Sequence, residues 1–243
     1  MRKTADLSCP PADLALTLEV EGARTLAELT AALAGICDQA ESRKGEHVIV
    51  VLRLAGSDTE SRAWPGPADI QEVNRWERAV RRLERLPAMN IAVGRGACGG
   101  PALDLLLAAD FRIAAPDLLL RLPVNDGHFW PGMALYRLVQ HLGLSRARQI
   151  VLWGGDIPVT RAQELGLIDQ VADDISAAVH TATALMGRTC DQELAVRRRL
   201  LLEAASADYD DALGVHLAAC DRELRRLQNA ADAADDEQEN SRG

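Results

Sequence analysis

Residues 94–115 run GRGACGGPALDLLLAADFRIAA. Glycines at 94, 96, 99 and 100 predict a turn whose backbone comes close to another group, because glycine reaches conformations that other residues avoid. PALDLLLA then reads as a short helix, with Pro101 in the first turn, where a missing N–H does no harm. A turn that opens a helix favours an anion, since unpaired amide hydrogens and the helix dipole both face it. One acid, Asp104, sits among Leu103, Leu106 and Leu107. Those leucines predict a desolvated carboxyl with a raised pKa, or alternatively Asp104 lies on a solvated helix face. Cys98 beside the turn has no base near it in sequence and reads as a small buried residue. Asp110 ends the helix and reads as structural.

Outward from this stretch, strand and helix patterns alternate. LALTLEV (14–20) alternates apolar and polar residues, the period of a strand. Thr25 and Glu28 form a capping-box spacing before TLAELTAALAGICDQA, and Asp69 with Glu72 repeats it before IQEVNRWERAVRRLERL. HVIVVLRL (47–54) is a β-branched buried strand, followed by a Gly/Pro-rich loop over 55–69. NIAVGRG, FRIAA and LLLRLPV read as further strands. PGMALYRLVQHLG and SRARQIVLWG read as helices. Thr160 with Gln163 caps a short helix that Gly166 ends, and LIDQVAD follows as a strand. The pattern predicts an α/β core over 1–173 and a helical carboxyl-terminal region over 174–228 that serves oligomerisation. Residues 229–243, acidic and without large apolar residues, predict a disordered tail.

Composition narrows the function. The chain has 243 residues and a formal net charge of -9, which argues against a general nucleic-acid surface. Only 8 residues are aromatic, too few for base-stacking platforms. Arginine outnumbers lysine 25 to 2. That bias suits phosphate contacts or follows from a GC-rich genome. No apolar run approaches the roughly 20 residues that cross a bilayer, and the amino terminus carries no signal-peptide pattern. Five scattered cysteines with no CxxC pair favour reduced thiols in a cytoplasmic protein.

Two readings of the glycines follow. Gly94, Gly96 and Gly99 satisfy G-x-G-x-x-G between a strand and a helix, with Asp117 at a plausible distance for a ribose contact. That would make the chain a dinucleotide-binding oxidoreductase, although the helix over about 101–110 is short for such a unit. The second reading draws on more of the chain. The segments IAVGRGACGGPALDLLLAADFRIAAPD, LPVNDGHFWPGMALYRLVQHLG and ARQIVLWGGDIPVTRAQELGLIDQVAD resemble the crotonase superfamily of enoyl-CoA hydratases and isomerases over residues 14–175. WERAVRRLERLP and WPGMALYRL further resemble its hydratase-like branch in 3,5-dihydroxyphenylglycine biosynthesis, a route to an antibiotic building block. The resemblance implies a spiral of ββα turns, assembly into trimers or hexamers, and an acyl-CoA substrate with no cofactor beyond its CoA. It also implies a type III polyketide synthase and other pathway enzymes as partners.

The resemblance places residues by function as well. Two backbone amides polarise the thioester oxygen as an enolate forms, the first from Gly66 in WPGPAD. The second maps onto Pro101, which has no N–H. Either Gly100 or Ala102 supplies the amide, or one donor is missing. Of the family's two acids, the first maps to Asp104 and the second to Val124, which cannot move a proton. Asp126 and His128, just beyond Val124, either reach the site or belong to a polar loop. The expected activity is a lyase or isomerase assisting dehydration and aromatisation to 3,5-dihydroxyphenylacetyl-CoA. The alternative is a non-catalytic partner that binds the polyketide synthase or its CoA product.

Overall fold

The computed structural model describes residues 15–20, 24–43, 48–56, 64–186, 191–204 and 207–240. The amino-terminal segment, Leu14, His47, residues 57–63 of the loop predicted over 55–69, Cys9 and Cys190 lie outside them. The chain divides into two compact units, Met1–Leu194 and Ala195–Gly243.

The first unit is built on a parallel sheet in the order β1 (Ala15–Val20), β2 (Ile49–Gly56), β3 (Met89–Cys98), β4 (Phe111–Ala114) and β9 (Gln170–Val171). The β2 sequence is apolar on both faces because helices cover both, as parallel sheets require. Val50, Leu52 and Leu54 face α1 (Leu26–Ser42), α2 (Ile70–Glu84) and α3 (Pro101–Ala108) in the main core. Ile49, Val51, Ile91, Val93 and Ile113 face the other way, onto Ala178 and Ala182 of α6 (Ile175–Met186). This second core carries the first unit past residue 173, where sequence reasoning ended it.

Both capping boxes form. Thr25 Oγ1 accepts from Glu28 N at 3.3 Å while Thr25 N donates to Glu28 Oε2 at 2.8 Å. The equivalent Asp69–Glu72 bonds are 2.8 and 3.0 Å. Asp110 is structural as expected: it accepts from Asn90 N at 2.9 Å, and its own N–H reaches Asn90 Oδ1 at 2.7 Å, tying the starts of β3 and β4 together.

Several elements are shorter or differently bounded than their sequence suggests. Past the main sheet, β3 also pairs with β5 (Leu119–Leu120), which pairs in turn with β8 (Ile157–Pro158). LLLRLPV therefore does not form one strand; its end, Val124, belongs to a hairpin of β6 (Val124–Asn125) and β7 (His128–Phe129). Helix α4 (Ala134–Trp153) breaks at Gly143, φ 73° and ψ 161°, where the sequence pattern separated two helices. Helix α5 (Val159–Glu164) has Pro158 rather than Thr160 at its N-cap, and no side chain caps it. In the second unit, α7 (Asp191–Ala204), which begins just before the division, leads to α8 (Tyr209–Asn240). Helix α8 runs to Asn240, within the segment 229–243 whose composition suggests disorder, and residues 241–243 lie outside the described residues.

Candidate active site

The turn after β3 and the loop before α2 meet at Trp64. Gly100 is buried with φ 51° and ψ -122°, and a Cβ added there would stand 3.0 Å from Trp64 Cγ. No side chain but glycine's fits both the angle and the space. Trp64 is buried in turn, its ring centroid 5.7 Å from that of Trp76 in an edge-to-face pair. Pro65 and Pro67 flank Gly66, which is exposed with φ 75°. Among the described residues no acceptor is assigned to the N–H of Gly66 or of Gly100.

Pro101 is the first residue of α3 and has no N–H to give. The N–H of Ala102 donates to Gly99 O at 3.1 Å. Gly100 keeps its amide hydrogen and turns its carbonyl inward, accepting from Asp104 N at 3.0 Å.

Asp104 lies one turn into α3 and is 3 % exposed. Trp76 Nε1 donates to its Oδ2 at 3.0 Å. Its Oδ1 stands 3.8 Å from Arg137 Nη1, an ion pair too long for a hydrogen bond. Arg137 is buried as well and donates from Nε to Glu84 at 2.6 Å and from Nη1 to Glu77 at 3.2 Å. Burial pushes the Asp104 carboxyl from its ordinary 3.8 up to about 7, helped by Glu77 and opposed by Arg137 and the Trp76 N–H. A carboxyl there can both take and return a proton near neutrality.

The hairpin holds the remaining sequence candidates. Asp126 and His128 are both exposed at its tip, with Asp126 and Gly127 at φ 49° and 81° forming the two-residue turn. His128 Nδ1 lies 3.1 Å from Asp126 O, a contact within the tip itself. Val124 is 38 % exposed and offers no proton. Sequence reasoning missed three residues that the fold brings to the site: Trp76 and Arg137, which hold Asp104, and Asn125, which holds the Trp64 loop. Trp76 was findable as the large apolar residue on the inner stripe of α2. Arg137 and Asn125 carry no local pattern that would single them out.

The G-x-G-x-x-G reading fails on this geometry. Gly94 and Gly96 lie inside β3 rather than in a phosphate-cradling turn. A Cβ on Gly94 would come within 3.0 Å of Leu118 Cδ1 and 3.2 Å of Leu106 Cδ1, so close packing explains that glycine. The helix that follows has only 8 residues.

A parallel strand–helix spiral whose glycine turn and proline-flanked loop converge beside a buried carboxyl defines a protein of crotonase fold. Solved structures agree on the fold. An enoyl-CoA hydratase/isomerase from Cupriavidus metallidurans CH34 superposes with a TM-score of 0.71 at 17% identity, covering 88% of this chain and 86% of that one. An enoyl-CoA hydratase from Shewanella pealeana ATCC 700345 gives 0.70 at 19% identity, covering 86% and 84%. In sequence, the enoyl-CoA hydratase/isomerase family profile matches residues 54–239. A protein of Amycolatopsis orientalis named enoyl-CoA-hydratase is 44% identical over 216 residues, which are 87% of this chain and 96% of that protein. A Bacillus subtilis (strain 168) protein named probable enoyl-CoA hydratase is 30% identical over 207 residues, 78% and 76% of the two chains. The chain belongs to the enoyl-CoA hydratase/isomerase family and is an enzyme of that hydratase/isomerase-like kind, not a dinucleotide-binding oxidoreductase. Among the described residues no helix is long and apolar enough to cross a membrane.

Proposed function

We propose that this enzyme acts in the cytoplasm on an acyl-CoA thioester, with the CoA of the substrate as its only cofactor. In this reading the N–H groups of Gly66 and Gly100 receive the thioester oxygen and stabilise the enolate that forms when the α-carbon loses a proton. Amides already aimed at that oxygen stabilise it without reorganising as charge develops. The family's second acid has no counterpart at Val124, so one carboxyl group does both proton transfers. Asp104 takes the α-proton as a carboxylate and returns it to the departing β-hydroxyl, which leaves as water. The observation that carries this reading is Asp104 itself: a buried carboxyl one turn below Gly100, with a pKa of about 7.

A one-acid elimination suits the dehydration that aromatises a polyketide-derived thioester to 3,5-dihydroxyphenylacetyl-CoA. The segments WERAVRRLERLP and WPGMALYRL support that substrate, and they support a type III polyketide synthase as the partner that delivers it. Asp126 and His128 stay outside the proton path in this scheme. Assembly into a homotrimer or hexamer through the carboxyl-terminal helices completes the reading.

The test is Asp104→Asn, assayed with the synthase and its CoA substrates after dialysis against a chelator. Aromatic product formation by the dialysed wild type should be unchanged, and the variant should lose about 10²–10⁴-fold in rate. A variant that keeps wild-type output would point instead to a partner that binds the synthase or its product without doing chemistry.

A further inference from the structure

We infer that Asn125 is a positioning residue that fixes the Gly66 amide for catalysis. The inference rests on the reading of Gly66 and Gly100 as the thioester's two donors. The geometry behind it is a two-point clamp. Asn125 Oδ1 accepts from Trp64 N at 3.0 Å, and Asn125 Nδ2 donates to Trp64 O at 2.7 Å. One side chain therefore satisfies both backbone groups of a residue 61 positions away, as a neighbouring strand would. Trp64 is the last residue before Pro65, whose ring restricts the backbone leading to Gly66. Holding the Trp64 peptide groups thus fixes where the Gly66 N–H points.

The clamp is anchored at both ends. Asn125 sits in β6, directly before the Asp126–Gly127 turn, and pairs with His128 across the hairpin. The ring of Trp64 is wedged between Gly100 and Trp76. Two donors from separate chain segments are thereby set against each other through one indole, with Asn125 holding its backbone and Gly100 its face. Loop residues that carry a catalytic amide need such support, because a misplacement of about 1 Å can cost on the order of 10²-fold in rate.

The same hairpin is where the family resemblance places a second acid. Here Val124 fills that place and the next residue is turned to the oxyanion loop. In this proposal the hairpin contributes no proton transfer and serves to position the donor that polarises the thioester.

The experiment uses a chromophoric thioester, 4-(dimethylamino)cinnamoyl-CoA, whose visible band moves to the red as its carbonyl oxygen is hydrogen-bonded. The band is read on the full chain for wild type, Asn125→Ala and Asn125→Asp, with the dissociation constant for free CoA measured alongside. The expected result is a red-shifted band on wild type, loss of most of that shift in Asn125→Ala, and the same CoA affinity in both. Asn125→Asp has the same shape but sets an oxygen against Trp64 O, so it carries the comparison where the alanine variant does not fold. A folded variant series that retains the full wild-type shift overturns the proposal, leaving Asn125 as a structural bond. Absence of any shift on wild type overturns the reading of the two donors, and the role of Asn125 with it.

Discussion

At the scale of single residues, Asp104 is the carboxyl whose burial brings its titration into the neutral range. Its folded pKa of about 7 lies above the ordinary 3.8 of an unfolded aspartate, chiefly because burial disfavours the charge. The folded chain therefore binds that proton more tightly than the unfolded chain does. The resulting stabilisation is complete below 3.8, falls as pH rises towards 7, and is gone above it. Asp104→Asn cannot titrate, so its stability relative to wild type should rise between pH 5 and pH 8. The rise expected from the pKa gap is on the order of 3 kcal/mol, read as a difference in urea midpoints at the two pH values. A flat difference would mean the carboxyl titrates normally. Arg137 bears on the same proton from the other side. Arg137→Met removes a cation that lowers the Asp104 pKa, so under the proposed one-acid mechanism the break in the pH–rate profile should move to higher pH. It also takes the cation from Glu77, while Glu84 keeps Arg81 at 2.8 Å, which predicts a loss of about 3 kcal/mol in denaturant unfolding.

At the scale of elements, the mouth of α3 shows what a proline in a functional turn implies. If Gly100 supplies the second donor, an N–H at position 101 is not needed there. Pro101→Ala should then leave the rate within about threefold of wild type, an expectation that follows from proline being ordinary in the first helical turn. A gain of ten-fold or more would show that the wild-type site works with one donor too few. The elements also show what local sequence can carry. Capping boxes at Thr25 and Asp69 were legible because both partners lie within one turn. The break at Gly143 was legible because glycine takes the positive φ that a helix cannot. The start of α5 was not, because Pro158 precedes a helix as readily as Thr160 does and no local rule ranks them. The clamp of Asn125 on Trp64 and the pairing of Arg137 with Asp104 were invisible for a deeper reason. Each joins segments dozens of residues apart, and only the closed fold creates the contact.

At the scale of the whole molecule, the second unit presents a surface that a lone chain leaves exposed. Along α8, Leu213, Leu217, Leu224 and Leu227 are 40%, 58%, 58% and 51% exposed, and Cys220 between them is exposed too. Their spacing alternates four and three residues, which keeps an apolar stripe on one side of a helix and is the pattern of helices that pack together. The opposite composition prevails elsewhere on α8, where Arg225–Asp221 and Arg226–Glu223 pairs at 2.8 and 2.7 Å keep the helix surface charged. Such exposed pairs contribute little to stability but keep that side wet. Self-association through the leucine stripe is the arrangement this predicts, consistent with the oligomer proposed above. Replacing Leu217 and Leu224 together by lysine should therefore lower the mass measured by light scattering on size-exclusion chromatography. The circular dichroism of the first unit's helices and sheet should stay the same, since the substitutions lie in α8. An unchanged mass would overturn association through this stripe, a wild-type monomer denying contact between copies and a wild-type oligomer putting it on another face.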